Sequence, residues 1–270
     1  MAYYDLGNYS RKISTSADDA QRWFDRGLVW TYSYNHEQAI ECFQKALEYD
    51  PDCAMAHWGV AYAAGPNYNF EWWMMDPASK ADALGTAYDS TQAALGRVDA
   101  VTPAERALIE ALTTRYPQRE PIDDQAPWND DFAEAMRRAY EAHPGDIEVA
   151  TVYAEAILNQ TPWKMWDICN NSVAAGAGTV EAQRVLERFL DTPAGRVHPG
   201  ILHLYVHLME MSPTPEKALT AGDRLRVLVP DAGHLIHMAT HIDIQCGEYH
   251  DTLYWNQKGI EADLKIAERE

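Results

Sequence analysis

Cysteine is scarce. The four residues, Cys42, Cys53, Cys169 and Cys246, stand far apart with no C-x-x-C spacing, which excludes a disulfide framework or a zinc ribbon and leaves buried free thiols as the expectation. Positive charge is short too. Twenty-two basic residues face 41 acidic ones, a formal net charge of −19, and such a field repels phosphate backbones and anionic headgroups. Nucleic acid and membrane surfaces are therefore excluded as expected partners. No apolar run approaches the ~18 residues of a spanning helix, and "MAYYDLGNYSRKIS" has neither a basic n-region nor an apolar h-region. A soluble cytoplasmic protein is expected. Alternating strand patterns are also missing, so a sheet-based fold is not expected.

Helix punctuation is abundant instead. Ser16 precedes two acidic residues, Thr102-Pro103-Ala104-Glu105 has capping-box spacing, and Thr214-Pro215-Glu216 offers an N-cap with Pro at N1. Prolines at 51, 66, 77, 144, 213 and 230 stop helices, because Pro disfavours helical backbone angles in the residue before it. With 47% hydrophobic residues in 270, the chain can bury a sizeable core.

A repeat organises these helices. In "AQRWFDRGLVWTYSYNHEQAIECFQKALEYDP", Trp23, Gly27, Ala39, Phe43, Ala46 and Pro51 fall at the spacing of the tetratricopeptide repeat, a helix-turn-helix unit of about 34 residues. Arg26 departs from the pattern, which favours a large apolar residue there. Ala218 and Pro230 fit the same register, and "GEYHDTLYWNQKGIEAD" resembles a second helix with Thr252 in place of the usual Ala. The expected fold is all-α: a right-handed superhelical stack of antiparallel helix pairs in one domain, residues 1–270. Regular repeats are expected near 20–75 and 199–268, with irregular helical pairs over 77–190.

The histidines follow the same period. His203 and His237 are 34 residues apart, as are His207 and His241, so each pair occupies equivalent positions of successive units. Parallel first helices lie roughly 8–10 Å apart, and i, i+4 residues share a face, so four imidazoles are expected to converge. Metal–nitrogen bonds of about 2.0–2.1 Å fit that gap, so His203, His207, His237 and His241, with His234, are the expected metal ligands. His203, His207 and Glu210 form one polar stripe, and His234, His237 and His241 a second, both set among apolar residues. A plain hydrogen-bonded network of imidazoles, Glu210 and water is the competing account. His198 is expected to brace a helix start, and His36, His143 and His250 to be solvated.

The motifs "AMAHWGVAYAAGPNYN", "HPGILHLYVHLME" and "PDAGHLIHMATHI" resemble a sparsely characterised group of microbial tetratricopeptide-repeat proteins. The resemblance implies a helical fold whose first helices point residues such as His203, His207, His234, His237 and His241 into a concave groove. It implies no activity. From the residues, a metal-dependent enzyme is expected, with copper favoured and zinc or iron possible, because imidazole-rich, thiolate-free donor sets suit copper. An oxidoreductase or oxygenase acting on a small amphipathic or aromatic metabolite is the first reading, with Glu210 as the catalytic carboxylate. A zinc or iron hydrolase or lyase, with Glu210 as general base toward metal-bound water, and a peptide-binding scaffold are the alternatives. His57, Tyr68, Asn69 and Trp72 are candidates for the substrate pocket.

Overall fold

A computed structural model describes residues 3–269. Among these residues the fold is all-α, with twelve α-helices packed as consecutive pairs, a tetratricopeptide-like α-solenoid. The helices are α1 (Asp18–Tyr32), α2 (His36–Tyr49), α3 (Ala54–Ala64), α4 (Pro77–Leu95), α5 (Pro103–Arg115), α6 (Ala126–Ala142) and α7 (Ile147–Leu158). They continue with α8 (Thr179–Leu190), α9 (Pro199–Met209), α10 (Leu219–Leu228), α11 (Gly233–Cys246) and α12 (Tyr249–Ala267). The exception is a two-residue antiparallel ladder, β1 (Trp166–Asp167) with β2 (Ser172–Val173). No helix of the described residues is long and apolar enough to cross a membrane.

The chain divides into two compact units. An N-terminal unit takes Ser10–Thr31 and Asn35–Pro162. A C-terminal unit takes the described residues up to Tyr9, then Tyr32–Tyr34 and the chain from Trp163 onward.

In the N-terminal unit, the close approach of α1, α2 and α3 depends on side chains that are missing. The Phe43 ring is fully buried against both neighbours. A Cβ at Gly27 would meet it at 2.6 Å, and one at Gly59 at 2.5 Å. Only hydrogen at those two positions lets the ring wedge between the helices. Arg26 escapes its awkward position by laying its guanidinium over the Trp23 ring, 4.5 Å from the centroid. Thr102 and Glu105 form the reciprocal capping box that opens α5. Thr214 makes no side-chain cap; Pro215–Ala218 is a 3₁₀ turn leading into α10.

In the C-terminal unit, α8 to α12 pack in sequence, and α9 also packs on α11, the neighbour two helices on. That alternate contact brings the two first helices of successive repeats together. α11 ends at Gly247, whose φ of 85° is the left-handed C-cap conformation that glycine adopts without steric cost. All four thiols are free; Cys42 and Cys53 are buried as expected, whereas Cys169 is exposed beside the short ladder and Cys246 is half-buried.

Candidate metal centre

Helix α9 is buried along its entire length, and His203 and His207 are 1% and 2% exposed. Its start is well determined. Pro199 occupies N1, and His198 Nδ1 accepts the Ile201 backbone N–H at 3.2 Å, so His198 caps the helix as expected. Helix α11 presents His234, His237 and His241, all half-buried, toward α9 and α12.

The hydrogen bonds decide which nitrogen of each ring is free to bind. His203 Nδ1 lies 2.7 Å from the Tyr32 carbonyl, which can only accept, so Nδ1 carries the proton. His207 Nδ1–H donates to Glu210 Oε1 at 3.2 Å, and His241 Nδ1–H donates to the other oxygen, Oε2. His237 Nδ1–H donates to Asn256 Oδ1 at 2.7 Å. The amide is oriented by its own donations, from Nδ2 to the Thr252 carbonyl at 2.8 Å and to Thr240 Oγ1 at 3.1 Å. Each of these four imidazoles, when neutral, therefore keeps its lone pair on Nε2. This is how metal-ligating histidines are held: the distal nitrogen is tied to a carbonyl or carboxylate and the ring is oriented by it.

The Nε2 atoms then meet one another. His237 and His241 place theirs 2.9 Å apart, and His203 and His234 place theirs 3.1 Å apart. Two lone pairs facing each other at 2.9 Å repel unless a cation, a shared proton or a metal ion, sits against both. His203, His207 and His234 each offer a ligand atom within 4.8 Å of the others, the one such group among the described residues. His237 and His241 stand outside that group but join it through rings. Centroids are 6.2 Å apart for His234 and His237 and 6.3 Å for His207 and His241. The five rings are continuous, with His234 taking a place in the tight group that the repeat period alone assigns to His237 and His241.

Electrostatics set the protonation a metal needs. Burial, then the neighbouring His207 and His234, holds His203 well below the ordinary histidine range. Burial followed by His207, His237 and His241 brings His234 down to about 3. His207 is lowered by burial, against the pull of Glu210. Burial would raise Glu210, but the hydrogen bonds and charge of His207 and His241 prevail and take it down to about 2. Neutral imidazoles beside an ionised carboxylate are the result at neutral pH.

Two residues of the site have no signal in the repeat pattern. Tyr34 has a left-handed φ of 56°, unusual for a bulky side chain. Its ring lies 4.6 Å from that of His203, 5.3 Å from His234, and stacks on His207 at 5.9 Å. Asn256 is the other, the α12 residue that orients His237. The only hint for Tyr34 is its place in the turn "YSYNH". Beside Glu210 opens a cleft of about 320 Å³, with Asp167, Asn171, Ser212 and Gln245 among its lining. Trp166 Nε1–H donates to the Leu208 carbonyl at 2.5 Å, fixing the short ladder to the last turn of α9.

The remaining candidates lie in the N-terminal unit. His57, half-buried, bonds the Pro51 carbonyl through Nε2 at 3.1 Å. Tyr68 and Trp72 are buried, and Asn69 donates its backbone N–H to Asn67 Oδ1 at 2.9 Å within the tight turn from Asn67 to Phe70. His250 is exposed as expected. His36 is half-buried rather than fully solvated: its ring reaches the Ala63 and Thr31 backbones, and burial, reinforced by Arg115, pulls it down to about 4.

Fold and site together define the class: an all-α, tetratricopeptide-like protein with a candidate three-histidine metal site. Residues 20–53 match the tetratricopeptide repeat, the stretch that carries Gly27 and Phe43. No curated protein matches the chain.

Proposed function

We propose that the C-terminal unit is a metal-dependent oxidoreductase centre that holds copper and acts on a small amphipathic or aromatic molecule. The observation that carries this reading is the meeting of the His237 and His241 Nε2 lone pairs at 2.9 Å, both rings fixed from behind, beside the tight group of His203, His207 and His234. His203, His207 and His234 are the residues that would hold the ion, and His237 and His241 are placed to join them or to hold a second ion. Copper is favoured because the donors are imidazoles without thiolate, and because it binds most tightly of the divalent series. When bound, it supplies one-electron chemistry with dioxygen as oxidant and the metabolite as reductant.

The chain's own groups do the positioning. The Tyr32 carbonyl, Glu210 and Asn256 keep protons on Nδ1 and the lone pairs inward. Tyr34 covers one side of three rings and limits water there. The cleft beside Glu210 is the space we assign to the substrate. Glu210 itself is better suited to orienting than to moving protons, since both oxygens accept imidazole N–H bonds and its pKa is down to about 2. That counts against a zinc or iron hydrolase using Glu210 as base.

Elemental analysis of untagged protein, with spin-resonance spectra and oxygen uptake on the same preparation, tests the reading. Copper in at least roughly half the chains, a cupric signal, and oxygen consumption with an aromatic or amine metabolite are expected. Equal activity in zinc-loaded protein would overturn the oxidoreductase assignment. Protein that takes up no copper, zinc or iron would overturn the metal centre altogether.

A further inference from the structure

The N-terminal unit contains a second polar cluster, unrelated to the histidines. Arg115 is 1% exposed and spends Nη2 on the Pro66 carbonyl at 2.7 Å. Its Nε and Nη1 have no hydrogen-bond partner. The guanidinium lies over the rings of Phe132 at 4.8 Å, Tyr62 at 5.0 Å and Tyr116 at 5.7 Å. Trp72 Nε1, the Tyr116 hydroxyl and Trp58 Nε1 are likewise buried and unpartnered. Trp72 meets Tyr116 edge-on at 6.3 Å, and Trp58 stacks on Tyr62 at 4.9 Å. These side chains with orphaned donors therefore pack in one cluster around Arg115.

One acceptor faces them. Glu71, 4% exposed, feels the charge of Arg115, yet its Oε1 has no partner; Oε2 receives only a 3.4 Å bond from Asn129 Nδ2. Burial, partly offset by Arg115 and Asn129, brings Glu71 up to about 7. A protonated Glu71 is one more donor. Leaving a buried guanidinium with two unpaired nitrogens costs several kcal/mol.

We propose that Arg115, Trp72, Tyr116 and Glu71 form a buried binding site for a small organic carboxylate. The surplus of donors calls for an anion with several acceptor lone pairs. The rings of Trp58, Tyr62 and Phe132 suit an apolar or planar body behind that group. Glu71 and Trp72 lie at the start of a single 3₁₀ turn, Trp72–Met74, in the connection between α3 and α4, so entry requires this connection to move and leaves the α-helical pairs in place.

Calorimetric titration of the full-length protein with acetate, propionate and benzoate, each against its neutral amide, tests the assignment. At least one carboxylate is expected to bind roughly tenfold or more tighter than its amide. Trp72→Phe keeps an aromatic ring in place but removes the pyrrole half with its N–H, and is expected to weaken that binding roughly threefold to tenfold while the helical circular dichroism is unchanged. Binding no tighter than the amides for all three acids, or full affinity in Trp72→Phe, would overturn the proposal. Sulfate binding as tightly as the best carboxylate would do the same, assigning the site to inorganic anions. A crystal structure in which ordered water saturates Arg115 and Trp72 even with the carboxylate present would also overturn it.

Discussion

Two buried polar clusters, one in each unit, are of opposite kinds. In the C-terminal unit four imidazoles have given their N–H to fixed acceptors, and lone pairs are what remains. In the N-terminal unit a guanidinium, two indoles and a phenol keep N–H and O–H groups that nothing accepts. Helices of one general type thus bury a cluster rich in lone pairs in one place and one rich in N–H and O–H groups in another. Hydrogen-bonding capacity left over after packing shows the sign of a ligand more directly than net charge. A chain of −19 still contains a cluster that calls for an anion.

The sharpest test of that contrast is to remove a ligand ring. His203→Ala, His207→Ala or His234→Ala is expected to lower metal content by more than roughly tenfold, while circular dichroism and the carboxylate response of the N-terminal unit stay as they were. A change in both units together would break the comparison. Elemental analysis beside calorimetry reads it out.

Glu210→Gln comes next. An amide accepts less strongly and cannot hold two imidazole N–H groups as an ion does, so metal affinity is expected to fall roughly 10- to 100-fold. Activity per bound ion should change little. Retained metal with turnover down roughly 10²- to 10⁴-fold would instead mark a proton-moving base.

A packing change follows in size. Gly59→Ala drives a methyl into the Phe43 ring and is expected to destabilise the N-terminal unit by about 1–3 kcal/mol, measured by denaturant unfolding. Metal content in the C-terminal unit should be unaffected.

The smallest expected effect is the pH dependence that two buried carboxyls of the N-terminal unit add above neutral pH. Burial raises Glu155, which accepts the Tyr62 hydroxyl, to about 8, and raises Glu71 to about 7. At these two carboxyls the folded protein binds more protons than the unfolded between about pH 4.5 and 8, whereas the neutral His36, His203, His207 and His234 act in the opposite sense below about pH 6.5. The carboxyl contribution is complete below the unfolded value and is lost as pH rises through the folded ones. A melting temperature that falls by a few degrees from about pH 7 to pH 8, where the histidines are neutral in both states, and a flatter fall in Glu155→Gln, are expected. A profile of Glu155→Gln parallel to wild type would remove Glu155 as the cause.

Much of the fold was legible because helical periodicity and its punctuation are local. The spacing of Gly27, Ala39 and Phe43 announces a helix pair, and the Thr102–Glu105 box marks a helix start, before any tertiary contact is known. Thr214 misled because the same cap signal also fits a 3₁₀ turn. His36 misled because proximity to a turn does not guarantee exposure when a neighbouring helix covers it.

For the site, the chain itself determined that His203 and His207 share one helix face, that His234, His237 and His241 share another, and that the two sets recur at one repeat period. Those are consequences of 3.6 residues per turn and need no third dimension. Tertiary structure alone decided that His234 enters the tight group with His203 and His207. It also decided that Glu210 bridges two rings, that the Tyr32 carbonyl and Asn256 choose the tautomers, and that Tyr34 covers them. Arg115 and Glu71 become neighbours by the same means. The physical reason is that a helix period states which residues share a face, whereas the rotation and approach of two faces are fixed by packing, by Phe43 against two glycines and by α9 against α11. Hydrogen-bond partners follow from that approach.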